Sequence, residues 1–132
     1  MRVICGVLVL ALVSGCTTER SARALFADIA GPEAQFCGMV PLRQDAARAI
    51  ACVQEAIRWH TPLYVGMQVQ GIDSQVWHGL AQSRGGAAVW LSYDSDASGG
   101  NLPLLRRPHL TQYPCSQPRF DQDGTSVQLR CD

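Results

Sequence analysis

Cys37, Cys52, Cys115 and Cys131 lie 15, 63 and 16 residues apart in a chain of 132 residues. An even set of cysteines at wide spacing, without the Cys-x-x-Cys pairs of zinc modules, reads as two disulfides formed in an oxidising compartment. Four cysteines allow three pairings, and the elements around them must choose. Gly71-Ile72-Asp73-Ser74, with His78 and Asp94 downstream, supplies the residue types of a serine hydrolase. The Gly-x-Ser-x-Gly elbow is absent, however, and Asp-Ser is an ordinary turn pair whose carboxylate accepts from nearby backbone. His60 falls at the end of a helical pattern, where a cation suits the dipole, and His109 falls in a proline-rich stretch. A small hydrolase using Ser74 or a histidine is therefore the alternative function. Asp94-Ser95-Asp96-Ala97-Ser98-Gly99 matches the first half of a calcium loop, but the twelfth place is Leu105, where a bidentate Glu is required. It reads as an acidic surface loop. All eleven basic residues are arginine, so Schiff-base chemistry and a phosphate-loop lysine are excluded. No dinucleotide fingerprint or haem-attachment motif is present, and no cofactor or metal is expected.

The elements that must position these residues follow from periodicity. Leu42 to Trp59 repeats Ala46, Ala49, Ile50, Val53, Ala56 and Ile57 at three- and four-residue spacing, between Pro41 and Pro62. This predicts an amphipathic helix. From Leu63 the period is two, giving strands over Leu63 to Gln70, Gln75 to Gln82 and Ala87 to Asp94, joined by turns at Gly71-Ile72-Asp73-Ser74 and Ser83-Arg84-Gly85-Gly86. With an even number of residues in both turns, Met67 faces His78, Val65 faces Leu80, and Leu80 and His78 face Val89 and Leu91. That face is apolar and is expected to receive the helix. The opposite face then carries Tyr64, Trp77 and Trp90 around Gly66 and Gly79, a floor without side chains suited to a sugar ring or a partner's apolar side chain. The competing expectation is that the C-terminal segment covers it.

Beyond Leu102, prolines 103, 108, 114 and 118 break up the pattern, and Asp121-Gln122-Asp123-Gly124-Thr125 is a hairpin turn. Pairing Asp121 with Thr125 places Gln117 opposite Leu129 and Cys115 opposite Cys131. Cys37 precedes the helix and Cys52 lies within it, so folding the entry segment back along two or three turns joins those two. The expected disulfides are Cys37 with Cys52 and Cys115 with Cys131. The expected fold is α+β, with one amphipathic helix packed on an antiparallel sheet of four or five strands.

At the N-terminus, Arg2 is followed by an apolar run from Val3 to Val13, the length of a signal-peptide core and well short of the roughly twenty residues of a membrane span. Val13-Ser14-Gly15-Cys16 resembles the lipobox of bacterial lipoproteins. The resemblance covers residues 1–16 only. It implies that Cys16 becomes the mature N-terminus with a thioether-linked diacylglycerol, usually with a third acyl chain on its amine in Gram-negative bacteria, and so a permanent anchor. Thr17 after Cys16, in place of Asp, resembles the sorting pattern that, in a Gram-negative bacterium, implies delivery to the outer membrane, facing the periplasm. The implied organisation is a signal peptide over 1–15, a lipidated N-terminus and tether over 16–34 with a brief helix around Ala22 to Ile29, and one α+β domain over 35–132.

Loss of Arg2 with the signal leaves ten arginines against eleven carboxylates, too nearly balanced to recruit nucleic acid. Residues 17–132 carry no family signature. The expected function is a membrane-tethered envelope lipoprotein acting as a binding, accessory or structural module. Its expected partners are the membrane, through the lipid, and an envelope protein or glycan.

Overall fold

The computed structural model describes residues 6–96 and 108–132, with side chains from Thr17 onward. The side chains of the lipobox, and the calcium-like loop from Ala97 onward, lie outside the described residues. The order of elements is α1 (Gly6–Ala30), β1 (Gln35–Val40), α2 (Ala47–Arg58), β2 (Leu63–Val69), β3 (Val76–Gln82), β4 (Ala88–Asp94), β5 (His109–Cys115), β6 (Pro118–Asp123) and β7 (Ser126–Cys131). The fold is α+β. Among the described residues the strands form a five-stranded sheet in the order β1-β2-β3-β4-β5 and a separate β6-β7 hairpin. The large sheet is mixed, because β1 runs parallel to β2 while the other pairs are antiparallel.

Helix α2 buries Ala46, Ala49, Val53 and Ala56, with Ile50 and Ile57 packed beside them, which is the stripe its periodicity predicts. It starts later than Pro41 suggests. Arg43 adopts a left-handed φ of 62°, and the first turn is organised by Asp45 Oδ1, which accepts from the Ala47 N–H at 2.9 Å. At its end His60 takes φ 53°, while Thr61 N–H donates to Ala56 O at 2.8 Å and His60 N–H to Ile57 O at 3.2 Å. This is a Schellman closure with histidine in the position that glycine usually fills, and Pro62 then prevents continuation. His60 closes the helix through its backbone.

The stretch read as a tether is folded. Helix α1 continues to Ala30 and lays Ala22, Phe26 and Ala30, all nearly inaccessible, against β2 and β3. The signal was weak because the apolar residues from Ala22 to Ala30 spread around the helix, while burial falls on every fourth one, Ala22, Phe26 and Ala30. Strand β1 also lay hidden in the sequence. It is six residues long, and Gly38 at φ 121° accompanies a register break between Phe36 and Met39 that destroys the alternation. Both disulfides form as expected, Cys37 with Cys52 and Cys115 with Cys131. The first fixes α2 to β1.

Strands β2 and β3 pair as predicted, with Val69 opposite Val76 and Gly66 opposite Gly79. The next pair does not. The β3-β4 connection spans residues 83–87, an odd number, so Leu80 pairs with Trp90 and Gly79 with Leu91. A one-residue difference turns every side chain of β4 to the other face. Trp90 therefore joins Val65 and Leu80 on the α2 side, while Val89, Leu91 and Tyr93 join Trp77 on the α1 side. His78, expected beside Met67 and Leu91, faces Met67 and Ser92.

The terminal hairpin is also displaced from its expected register. Its loop is Gly124-Thr125, with Gly124 at φ 58°, so Asp123 pairs with Ser126, Phe120 with Leu129 and Pro118 with Cys131. Cys115 is instead the last residue of β5, beside Ala88. The Cys115–Cys131 bond, at a Cα separation of 5.2 Å, thus staples the hairpin to the end of the large sheet rather than closing one hairpin.

Candidate functional site

The glycine floor exists, and the chain fills it. Gly66 and Gly79 lie opposite each other, and the Phe26 ring of α1 occupies the space above them. A Cβ at Gly79 would fall 2.7 Å from Phe26 Cδ2, and one at Gly66 would fall 3.2 Å from Phe26 Cε2. Trp77 is 2% exposed in the same layer. Tyr64 is half-buried, with its ring 5.1 Å from that of Phe36, which carries the Arg23 guanidinium 3.9 Å above its centroid. The predicted recognition face of Tyr64, Trp77 and Trp90 is thus not a surface. Helix α1 covers two of its members, and the third lies on the opposite side of the sheet.

On the α2 side an aromatic row reaches the surface at its outer end. Helix α2 packs on β1 and β2, and β7 reaches β2 and β3, so the β4-β5 side of this face lies past the main cover. Trp90 pairs with Tyr113 of β5, and His78 of β3 lies diagonally across from Trp90. Their rings form a row, with centroids 4.7 Å apart for His78 and Trp90 and 5.8 Å apart for Trp90 and Tyr113. Trp90 Nε1–H donates to Leu129 O at 3.3 Å, which fixes the indole against the rim of the hairpin. Exposure grows outward along the row, from half-buried His78 and Trp90 to Tyr113 at 55%. Ser92 and Thr111, paired across β4 and β5, set hydroxyls beside it.

Burial holds the His78 imidazole below its usual pKa of 6.5, so the ring stacks neutral at physiological pH. A row of this kind offers flat π surfaces with hydroxyls alongside, the means by which proteins grip a planar or ring-shaped apolar surface. Tyr113 was missed because Pro114 and Pro118 obscure the strand. The usable cue was position: a strand containing proline belongs at a sheet edge, and β5 is an edge.

The hydrolase residues are not brought together. Ser74 lies in the β2-β3 loop, on a polar groove of about 630 Å³ shared with Thr17, Thr18 and Ser21 of α1. Asp94 Oδ1 accepts from the Asp96 N–H at 2.9 Å, and Ser95 Oγ accepts from the Gln75 N–H at 2.9 Å. Among the described residues no hydrogen bond links Ser74, His78 and Asp94. His109 is exposed at the start of β5 and His60 at the end of α2. No group of three or more His, Cys, Asp or Glu among the described residues is placed to hold a metal ion. Among those residues, too, no helix is long and apolar enough to cross a membrane.

Compared with known protein families, curated proteins and solved structures, the chain matches none.

Proposed function

We propose that this protein is a lipid-anchored domain of the bacterial envelope that works by binding, with Tyr113, Trp90 and His78 as its contact surface. The observation that carries the proposal is the aromatic row that runs from half-buried His78 and Trp90, at the rim of the hairpin, out to Tyr113, 55% exposed on edge strand β5. Exposed aromatics backed by a rigid sheet are good anchors, since they supply contact area at little cost in side-chain entropy. The partner is an envelope protein presenting apolar side chains, or a glycan. The two disulfides suit an oxidising compartment, where they persist. The anchor follows from the lipobox resemblance at Cys16.

Two measurements test this. Acyl labelling and mass analysis of exported protein are expected to show a mature chain that begins at acylated Cys16, and Cys16→Ser is expected to leave the signal uncleaved and unlabelled. A pull-down from envelope extract with the intact lipoprotein is expected to retain a partner that Tyr113→Ala loses. A mature N-terminus elsewhere overturns the anchor, and a partner retained equally by Tyr113→Ala overturns the surface.

A further inference from the structure

Among the described residues the most exposed large apolar side chain is Ile72, at 90%, ahead of Trp59 at 71%. It stands at the tip of the β2-β3 loop. That loop is held tightly: a Cβ at Gly71 would lie 3.1 Å from both Ser74 Oγ and Val76 Cγ2, and Asp73 adopts a left-handed φ of 57°. Ile72 is therefore projected by a shaped turn.

Its place in the fold gives the projection a meaning. Thr17, Thr18 and Ser21 of α1 line one groove with Gln70, Gly71, Asp73, Ser74 and Gln75. Residues 17–21 of α1 and the Ile72 turn thus share one end of the folded body. Cys16 immediately precedes Thr17 and lies only six positions before Ala22, which is fixed to the sheet. At 1.5 Å per helical residue, that places the anchor point about 9 Å from the packed body. Trp59 lies at the opposite end, since β2 runs from the close of α2 towards the Ile72 turn.

Resting on the lipid anchor proposed above, we infer that the domain stands on the membrane by this end, with Ile72 inserted at the boundary between headgroups and acyl chains. The occupant of the Ile72 surface is lipid, because an anchor so close to the body holds this end within reach of the bilayer, and an exposed aliphatic residue there loses its contact with water on insertion. The strands then rise away from the membrane, and the Trp90–Tyr113 row stands on a flank, open to a partner.

The test uses the mature, acylated protein reconstituted in vesicles of phosphatidylethanolamine and phosphatidylglycerol. Ile72→Cys and Arg84→Cys, the latter in the turn at the opposite end of β3, are each labelled with an environment-sensitive fluorophore, after peptide mapping shows both native disulfides intact. The label at position 72 is expected to emit at shorter wavelength and to lose intensity when doxyl-labelled lipid is included, while the label at position 84 does neither. Equal, water-like behaviour at the two positions in an acylated sample overturns this inference alone. A sample whose mass shows no acylation overturns both the anchor and the inference.

Discussion

The Phe26 ring lies over Gly79, with a centre of the sheet built around the absence of one side chain. An aromatic from a helix whose flanks face solvent thereby becomes fully buried, and α1 is fixed to β2 and β3. Gly79→Ala should destabilise the protein by about 1–3 kcal/mol, because the added methyl collides with a fully buried ring. Phe26→Ala should cost about 3–5 kcal/mol. The double variant should be less destabilised than the sum, since removing the ring makes room for the methyl. Denaturant unfolding of all four proteins gives the coupling, and strict additivity would mean that ring and glycine do not meet.

The Cys115–Cys131 bond joins the hairpin to the sheet, so its removal should act on both. Cys115→Ser with Cys131→Ser is expected to lower stability by about 3 kcal/mol, the chain-entropy value for a loop of this length. With the hairpin released, Trp90 should lose the Leu129 carbonyl as acceptor, and its emission should move to longer wavelength. Thermal unfolding and fluorescence read the two effects. Non-reducing peptide mapping checks the pairing in exported protein.

His78 links stability to pH. Burial lowers its pKa in the folded state below the unfolded 6.5, so between those two values the unfolded chain binds more protons. Its contribution is complete above pH 6.5 and is lost as pH falls through that window. His78→Gln should flatten this part of the stability profile, as measured by chemical denaturation at a series of pH values. An unchanged slope would show that other groups set it.

Trp77 and Tyr113 should separate core from surface. Trp77→Ala removes a buried indole and should cost about 3–5 kcal/mol. Tyr113→Ala removes a half-exposed ring stacked on Trp90 and should cost at most about 1 kcal/mol, while abolishing capture of the partner. Melting temperatures and pull-downs on the same preparations test both statements.

Much of this fold was legible in the residues themselves. The stripe from Ala46 to Ile57, the alternation of Leu63 to Val69, the β2-β3 register and the Cys37–Cys52 pairing follow from local periodicity and from cysteine placement, which act over short stretches of chain. What escaped depended on counts or contacts that no short stretch encodes. Residues 83–87 form a loop of five rather than four, and that single residue moved Trp90 from one face to the other. The hairpin loop is Gly124-Thr125 rather than three residues, yet Cys115 and Cys131 still meet, because the closing strand belongs to a different sheet. That Gly66 and Gly79 leave a bare floor between aromatic neighbours can be read from the alternation of their two strands alone. Its occupant was settled by long-range packing, since Phe26 lies forty residues before Gly66, in a helix where Ala22, Phe26 and Ala30 become the buried line only because that floor is there to receive them. Burial of the ring is a long-range gain, and it is invisible to any argument from spacing within α1.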